Sequence, residues 1–278
     1  MMKKLIIVLI FFTFLFNGSL LQAKIVKVRG EAEVRIAGIT PEEGWIIAKR
    51  RARANAVEKA CGIKIVSSTV VKEGSLIGEY LAAFSKGFII KEKIVEQKTD
   101  WIKNTIPPIP VYKIVIEAEV AIPENRNLRL FKAELNKYSF LDGEEAQIII
   151  TPLNNAYIGI FNITAEDKIV MLYPNPYMPY KMITPSKKFV FPDSDTFVRL
   201  KIKTIKDHKK DTEAFFIIGL PGDKKYKNVF NVFKNKKFYQ FTEFFKLLFE
   251  TVDINVITQE FLPYVVFSKA RKAHELSH

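Results

Sequence analysis

Residues 40–71 read TPEEGWIIAKRRARANAVEKACGIKIVSSTVV, an amphipathic helix running into an alternating strand. Thr40 suits an N-cap, Pro41 the first helical position, and Glu43 completes a capping box. Trp45, Ala48, Ala52 and Ala56 recur at helical spacing on one face, where small alanines let a helix lie close on a sheet. Lys49, Arg50, Arg51 and Arg53 crowd the other side. Gly62 stands where a left-handed C-cap would stop the helix, and Ile63–Val71 then alternates as a strand.

The flanking stretches extend this pattern. Ile25–Ile36 alternates, with Val26, Val28, Ala32, Val34 and Ile36 on one face and charged residues on the other, which predicts a strand with one buried face. Ser75–Ser85 predicts a short helix. Phe88–Gln97 and Tyr112–Ile122 predict two further strands, joined by the proline-bearing loop Thr99–Pro110 (TDWIKNTIPPIP). The order β-α-β-α-β-β over residues 24–123 predicts one sheet covered by helices.

Residues 124–136 are polar and read as a linker with at most one helical turn. From residue 137 to 268 the signals are short strands between turns: Ala146–Thr151, a hairpin of Tyr157–Thr164 with Ile169–Tyr173, Lys187–Phe191, Thr196–Ile205 and Ala214–Ile218. A helix over Gln240–Val252 and a last strand over Pro263–Ser268 complete a mainly-β sandwich, and residues 269–278 form a tail. The fold class expected is therefore α+β: a sheet-plus-helices module followed by a β-sandwich with a C-terminal helix and strand.

The chain has 278 residues, of which 48% are hydrophobic, enough for packed cores rather than disorder. A single cysteine, Cys61, rules out an internal disulfide. The formal charge is +13, a balance that favours acidic partners or simply a lysine-rich surface. Residues 1–23 run from MMKK through LIIVLIFFTFLF to NGSLLQA, the layout of a signal peptide cleaved after Ala23. Leu21 is a mediocre residue two before that site, so an uncleaved anchor stays open. No cysteine lies near residue 24, so lipid modification of the N-terminus is not expected. Export to a periplasmic or outer-membrane-associated place argues against nucleic acid as a partner.

No stretch makes a strong case for catalysis. His274–His278 (HELSH) fits the spacing of a zinc-binding helix, yet no third ligand follows it, and His208 is the one other histidine. Cys61 falls in the last turn of its helix, an end that disfavours a thiolate, and reads as a small buried residue. Asp193 and Asp195 bracket Ser194 and suit either a turn or a cation. No cofactor and no metal are expected. Lys49, Arg50, Arg51 and Arg53 read as a solvated face or an anionic docking surface. Trp101, Ile102, Ile106 and Ile109 are apolar residues in a loop. They either fold back on the sheet or form an exposed anchor for a partner or a second copy.

Two resemblances join these readings. KACG, the strand IVSSTVV, GSLIGEYLAAFSKGFI and YKIVIEAEVAI resemble, across residues 24–123, the small envelope modules of the FlgT N-terminal and FlgP type. That resemblance implies a protein built into flagellar or other envelope assemblies and carries no catalytic motif. DGEEAQIIITP, AYIGIFNITAEDKIVMLYPN and FVFPDSDTFVRLKI resemble, over about 137–220, a bacterial β-sandwich known as the domain of unknown function numbered four-three-eight-four. Together they imply a non-catalytic binding or assembly protein of the bacterial cell envelope. The rivals are a module that binds an acidic glycan or lipid headgroup, and an envelope hydrolase.

Overall fold

The computed structural model describes residues 23–35, 40–63, 75–124 and 128–269, with side chains of the second helix from Tyr80 onward. The expected signal segment, most of the strand expected over Ile63–Val71 and the HELSH tail lie outside the described residues. The chain contains both helices and a larger share of strand, an α+β fold.

Thr40 caps the first helix, α1 (Pro41–Cys61), after the first strand, β1 (Lys24–Arg35). Both bonds of the capping box form, and Gly62 closes the helix at φ 65°. The second helix, α2 (Ser75–Phe84), leads to β2 (Phe88–Ile102) and β3 (Ile109–Ile122). The sheet order is β1-β3-β2, antiparallel throughout. Ala48, Ala52 and Ala56 are fully buried against it. The approach is so close that a Cβ on Gly30 would fall 2.1 Å from the Ala52 carbonyl oxygen, so only glycine fits there. Trp45 is half-buried and stacks on Tyr112 at 4.0 Å. The opposite sheet face is open and laced by cross-strand ion pairs, among them Arg29–Glu117, Lys27–Glu119 and Lys113–Glu33.

The stretch read as a linker holds a strand instead, β4 (Phe131–Leu135). Phe131 and Leu135 turn inward there, a period-2 pattern masked in the sequence by polar neighbours. Next come β5 (Ser139–Leu141), β6 (Glu145–Ala146), β7 (Ile148–Pro152), β8 (Ala156–Ile163), β9 (Lys168–Tyr173), β10 (Met182–Ile183), β11 (Phe189–Phe191) and β12 (Leu200–Lys201). The strand expected over Thr196–Ile205 shrinks to β12, because residues 193–199 are taken up by a turn held on Asp193. β13 (Lys210–Pro221) follows, then 3-10 turns over Lys224–Tyr226 and Val229–Asn235. β14 (Tyr239–Gln240), α3 (Phe241–Thr251) and β15 (Thr258–Phe267) end the described chain.

β14, β9, β8, β13, β15 and β5 line up in this order, and β10 adds to β8, giving a seven-stranded sheet. This sheet is the middle layer of the molecule. Ile158, Ile160, Phe215, Ile217, Leu262 and Tyr264 point into one core, shared with the β11-β7-β4 sheet through Phe131, Ile148 and Ile150. Phe161, Ile163, Ala214, Phe216 and Ile218 point into the other, beneath α3. Burial on both faces explains the unbroken apolar runs of β8 and β13.

The second core does not stop at the sandwich. Phe244 of α3 packs on Phe161 at 4.8 Å, while Phe245 stacks on Phe88 of β2 at 5.3 Å. Phe241 meets Phe84 of α2 edge-on at 4.7 Å. One continuous cluster of buried side chains therefore runs from β1 through α3 to β13.

Candidate functional site

The hairpin of β2 and β3 runs past the body of the molecule. Its register continues to Trp101↔Pro110 and Ile102↔Ile109, so the connection is only residues 103–108. Half of the long loop expected over Thr99–Pro110, residues 99–102 and 109–110, is thus strand. Thr105 Oγ1 donates to the Ile102 carbonyl at 3.0 Å, and Asp100 Oδ1 accepts from the Trp101 amide at 2.8 Å; these two bonds shape the turn. Trp101 is 53% exposed and Ile106 fully exposed, while Ile102 and Ile109 are half-buried. Ile94 and Val95 on the same strand are also exposed. Trp101 shares a face with Pro110, and therefore with Tyr112 and its Trp45 partner, by strand alternation. The tip thus prolongs a packed aromatic stripe into solvent instead of folding back to bury it.

The backbone edge of β2 is a weaker feature. Register shifts between Ile89 and Lys91 and between Ile94 and Glu96 interrupt it, and Lys91, Lys93 and Lys98 stud it. Bulges and lysines are the usual means of blunting a sheet edge, so contact at this hairpin falls to its side chains.

The basic residues of α1 divide. Arg50 and Arg53 are buried, 9% and 2% exposed, which corrects the expectation of a solvated or docking face for these two. Asp167 reaches them from the β8–β9 turn, held at φ 66°. Arg50 Nε donates to Asp167 Oδ1 at 3.0 Å, and its Nη2 to the Thr164 carbonyl at 2.8 Å. Arg53 bonds Asp167 Oδ2 and grips both oxygens of Glu92, at 2.5 and 2.6 Å. The Arg53 guanidinium also lies 4.6 Å from the centre of the Phe241 ring. Lys49 adds a 3.2 Å pair to Glu92, and Arg51 is half-buried. Burial by itself pushes the Asp167 carboxyl up, but Arg53 and Arg50 outweigh it and hold the group below its ordinary value. Every charge in this network is answered within the chain, so it ties β2 and α1 to the sandwich rather than presenting a reactive group.

A half-open cavity of about 230 Å³ lies within the sandwich, with Phe215 and Leu172 in its wall and Lys201 and Lys203 at its exposed rim. Glu213 Oε2 accepts from Tyr264 Oη at 2.5 Å and from Asn162 Nδ2 at 2.8 Å, and Oε1 from the Ala165 amide at 3.2 Å. Burial, reinforced by Glu213, pushes the Tyr264 phenol well up. The carboxylate is engaged by the chain's own donors and makes no nucleophile–base pair.

Cys61 is half-buried, with Sγ 3.5 Å from the Lys86 carbonyl, so it is less enclosed than expected. Asp193 and Asp195 form a turn in which the Asp195 amide donates to Asp193 Oδ1 at 3.2 Å. Among the described residues no group of three histidine, cysteine, aspartate or glutamate side chains could hold a metal ion, and no helix is long and apolar enough to cross a membrane.

Comparison with known families fits this geometry in one region. Residues 139–205 match DUF4384, a domain of unknown function. The match spans β5 to β12, including the β8–β9 hairpin that carries Asp167. No curated protein matches the chain.

Proposed function

We propose that this chain is an exported, non-catalytic protein of the bacterial cell envelope that binds or assembles through the end of its β2–β3 hairpin. The observation that carries the reading is the exposure of Trp101 and Ile106 at the tip of a hairpin that extends beyond the core. An exposed tryptophan beside a stiff, proline-bearing turn gains a large buried area on contact and loses little chain freedom. The signal-like N-terminus supports an envelope location, and the resemblance of residues 24–123 to FlgT- and FlgP-type modules supports an assembly role there. The buried arginine network and the internally satisfied Glu213 argue for structural rather than chemical work.

The test is the double substitution Trp101→Ala with Ile106→Ser. Both side chains leave solvent-facing positions, so the melting temperature should hold to within a few degrees. Self-association in analytical ultracentrifugation, or co-purification with an envelope partner, should be lost. A collapse of the melting temperature would make these residues part of the fold and end the contact reading.

A further inference from the structure

We infer that the 3-10 surface between β13 and β14 is a docking face for an anionic lipid bilayer. It is a different surface from the hairpin tip and stands or falls independently of it. Residues 224–237 carry Lys224, Lys225, Lys227, Lys234, Lys236 and Lys237, all exposed. Tyr226, Phe230 and Phe233 between them are buried in the core, so the segment is fixed with its apolar side inward and its lysines outward.

Little of the charge on this surface is answered by neighbouring anions. On the open face of the first sheet, cations meet anions: Lys27 and Lys91 share Glu119, Arg29 meets Glu117, and Lys98 meets Glu96. On the 3-10 surface only Lys236 has an ion pair among the described residues, with Glu243, while Lys225 lies 4.8 Å from the centre of the Tyr226 ring. The exposed carboxylates Asp223 and Asp253 are the other anions near Lys225. Lys224, Lys227, Lys234 and Lys237 make no ion pair among the described residues. Six like charges within one fourteen-residue segment repel one another, and an extended anionic surface relieves that repulsion.

Two details favour a bilayer over a nucleic acid. The patch contains lysine and no arginine. Lysine is a hydrated point charge on a flexible stem, suited to a diffuse headgroup layer, whereas arginine's rigid fork is the better match for fixed phosphates. Phe238 follows directly and is 41% exposed, with Lys168 Nζ 5.1 Å from its ring centre. An aromatic ring with cations around it is the arrangement that settles at the headgroup boundary.

The experiment is vesicle co-sedimentation of the chain as purified from the envelope fraction. One set of vesicles is phosphatidylcholine alone and the other an equimolar mixture with phosphatidylglycerol. Binding to the anionic vesicles should exceed binding to the neutral ones, and the excess should fall as salt shortens the screening length. Changing Lys224, Lys227, Lys234 and Lys237 to glutamine should cut that excess about a hundredfold or more, since each lysine near an anionic surface is worth roughly a fivefold factor and four together about 600-fold. Changing the same four to arginine should keep it. A control with Lys27, Lys91, Lys98 and Lys113 changed to glutamine removes equal charge and should keep most of it. Equal losses in the patch and control variants, no loss in the patch variant, or displacement of the vesicles by a short DNA duplex would each overturn the inference.

Discussion

Asp167 ties the β8–β9 turn to α1. It is a turn residue at φ 66° whose two oxygens enter between Arg50 and Arg53, with Tyr80 Oη 3.4 Å away. Asparagine accepts the same backbone conformation, so Asp167→Asn removes the charge and little else. Two buried guanidinium groups would then lose their shared anion, at a cost of about 3–5 kcal/mol in urea unfolding at neutral pH. A change under about 1 kcal/mol would mean that Glu92 alone suffices. The titration follows from the same contacts. Burial raises the Glu92 carboxyl, but the Arg53 hydrogen bonds and Lys49 outweigh it, so Glu92, like Asp167, titrates below its ordinary value. Both therefore add stability that is complete above the ordinary carboxylate range and is lost as pH falls through their depressed folded-state values. His208 runs the other way. Its hydrogen bond to Asp211 at 2.7 Å raises the imidazole, so its contribution is complete below about 6.5 and fades as pH rises through the raised value. Melting temperature against pH should show the acid loss reduced in Asp167→Asn and the alkaline loss reduced in His208→Ala.

At the scale of elements, what was legible in the sequence was what neighbours along the chain determine. The capping box of α1, its alanine stripe, the β1 alternation and the β8–β9 hairpin all depend on residues a few positions apart, and all formed. The burial of Arg50 and Arg53 is not legible along the helix because the anion they share, Asp167, lies more than a hundred positions away, beyond the reach of any helical pattern. β4 is hidden in the sequence because only Phe131 and Leu135 are buried in a polar stretch, and its partner β7 comes later. The hairpin tip was half legible. Its apolar residues stood out, but β2 and β3 keep pairing through Pro110, which the prolines had suggested was loop. A proline at the end of a strand is tolerated where its missing N–H leaves no ladder bond unmade. The basic stretch after β13 carried no fold signal, since its three inward aromatics follow 3-10 turns rather than a helix or strand period.

Across the whole molecule, the two regions distinguished in the sequence share one core through α3 and one ion network through Asp167. We expect them to unfold together. Both tryptophans, Trp45 and Trp101, report on the first region, whereas eight of the ten tyrosines lie beyond residue 137 and report mainly on the second. Tryptophan fluorescence and near-ultraviolet tyrosine signals should give coincident urea transitions. Two separated transitions would show that α3 and Asp167 couple the regions only weakly. The claim that matters most for function is that the hairpin tip meets another protein. A photo-crosslinking amino acid placed at Ile106 in living cells, with the same probe at Phe197 as the equally exposed control, tests it most directly. The account predicts a discrete crosslinked species from position 106 and none from position 197. No species from 106, or the same species from both, would contradict it.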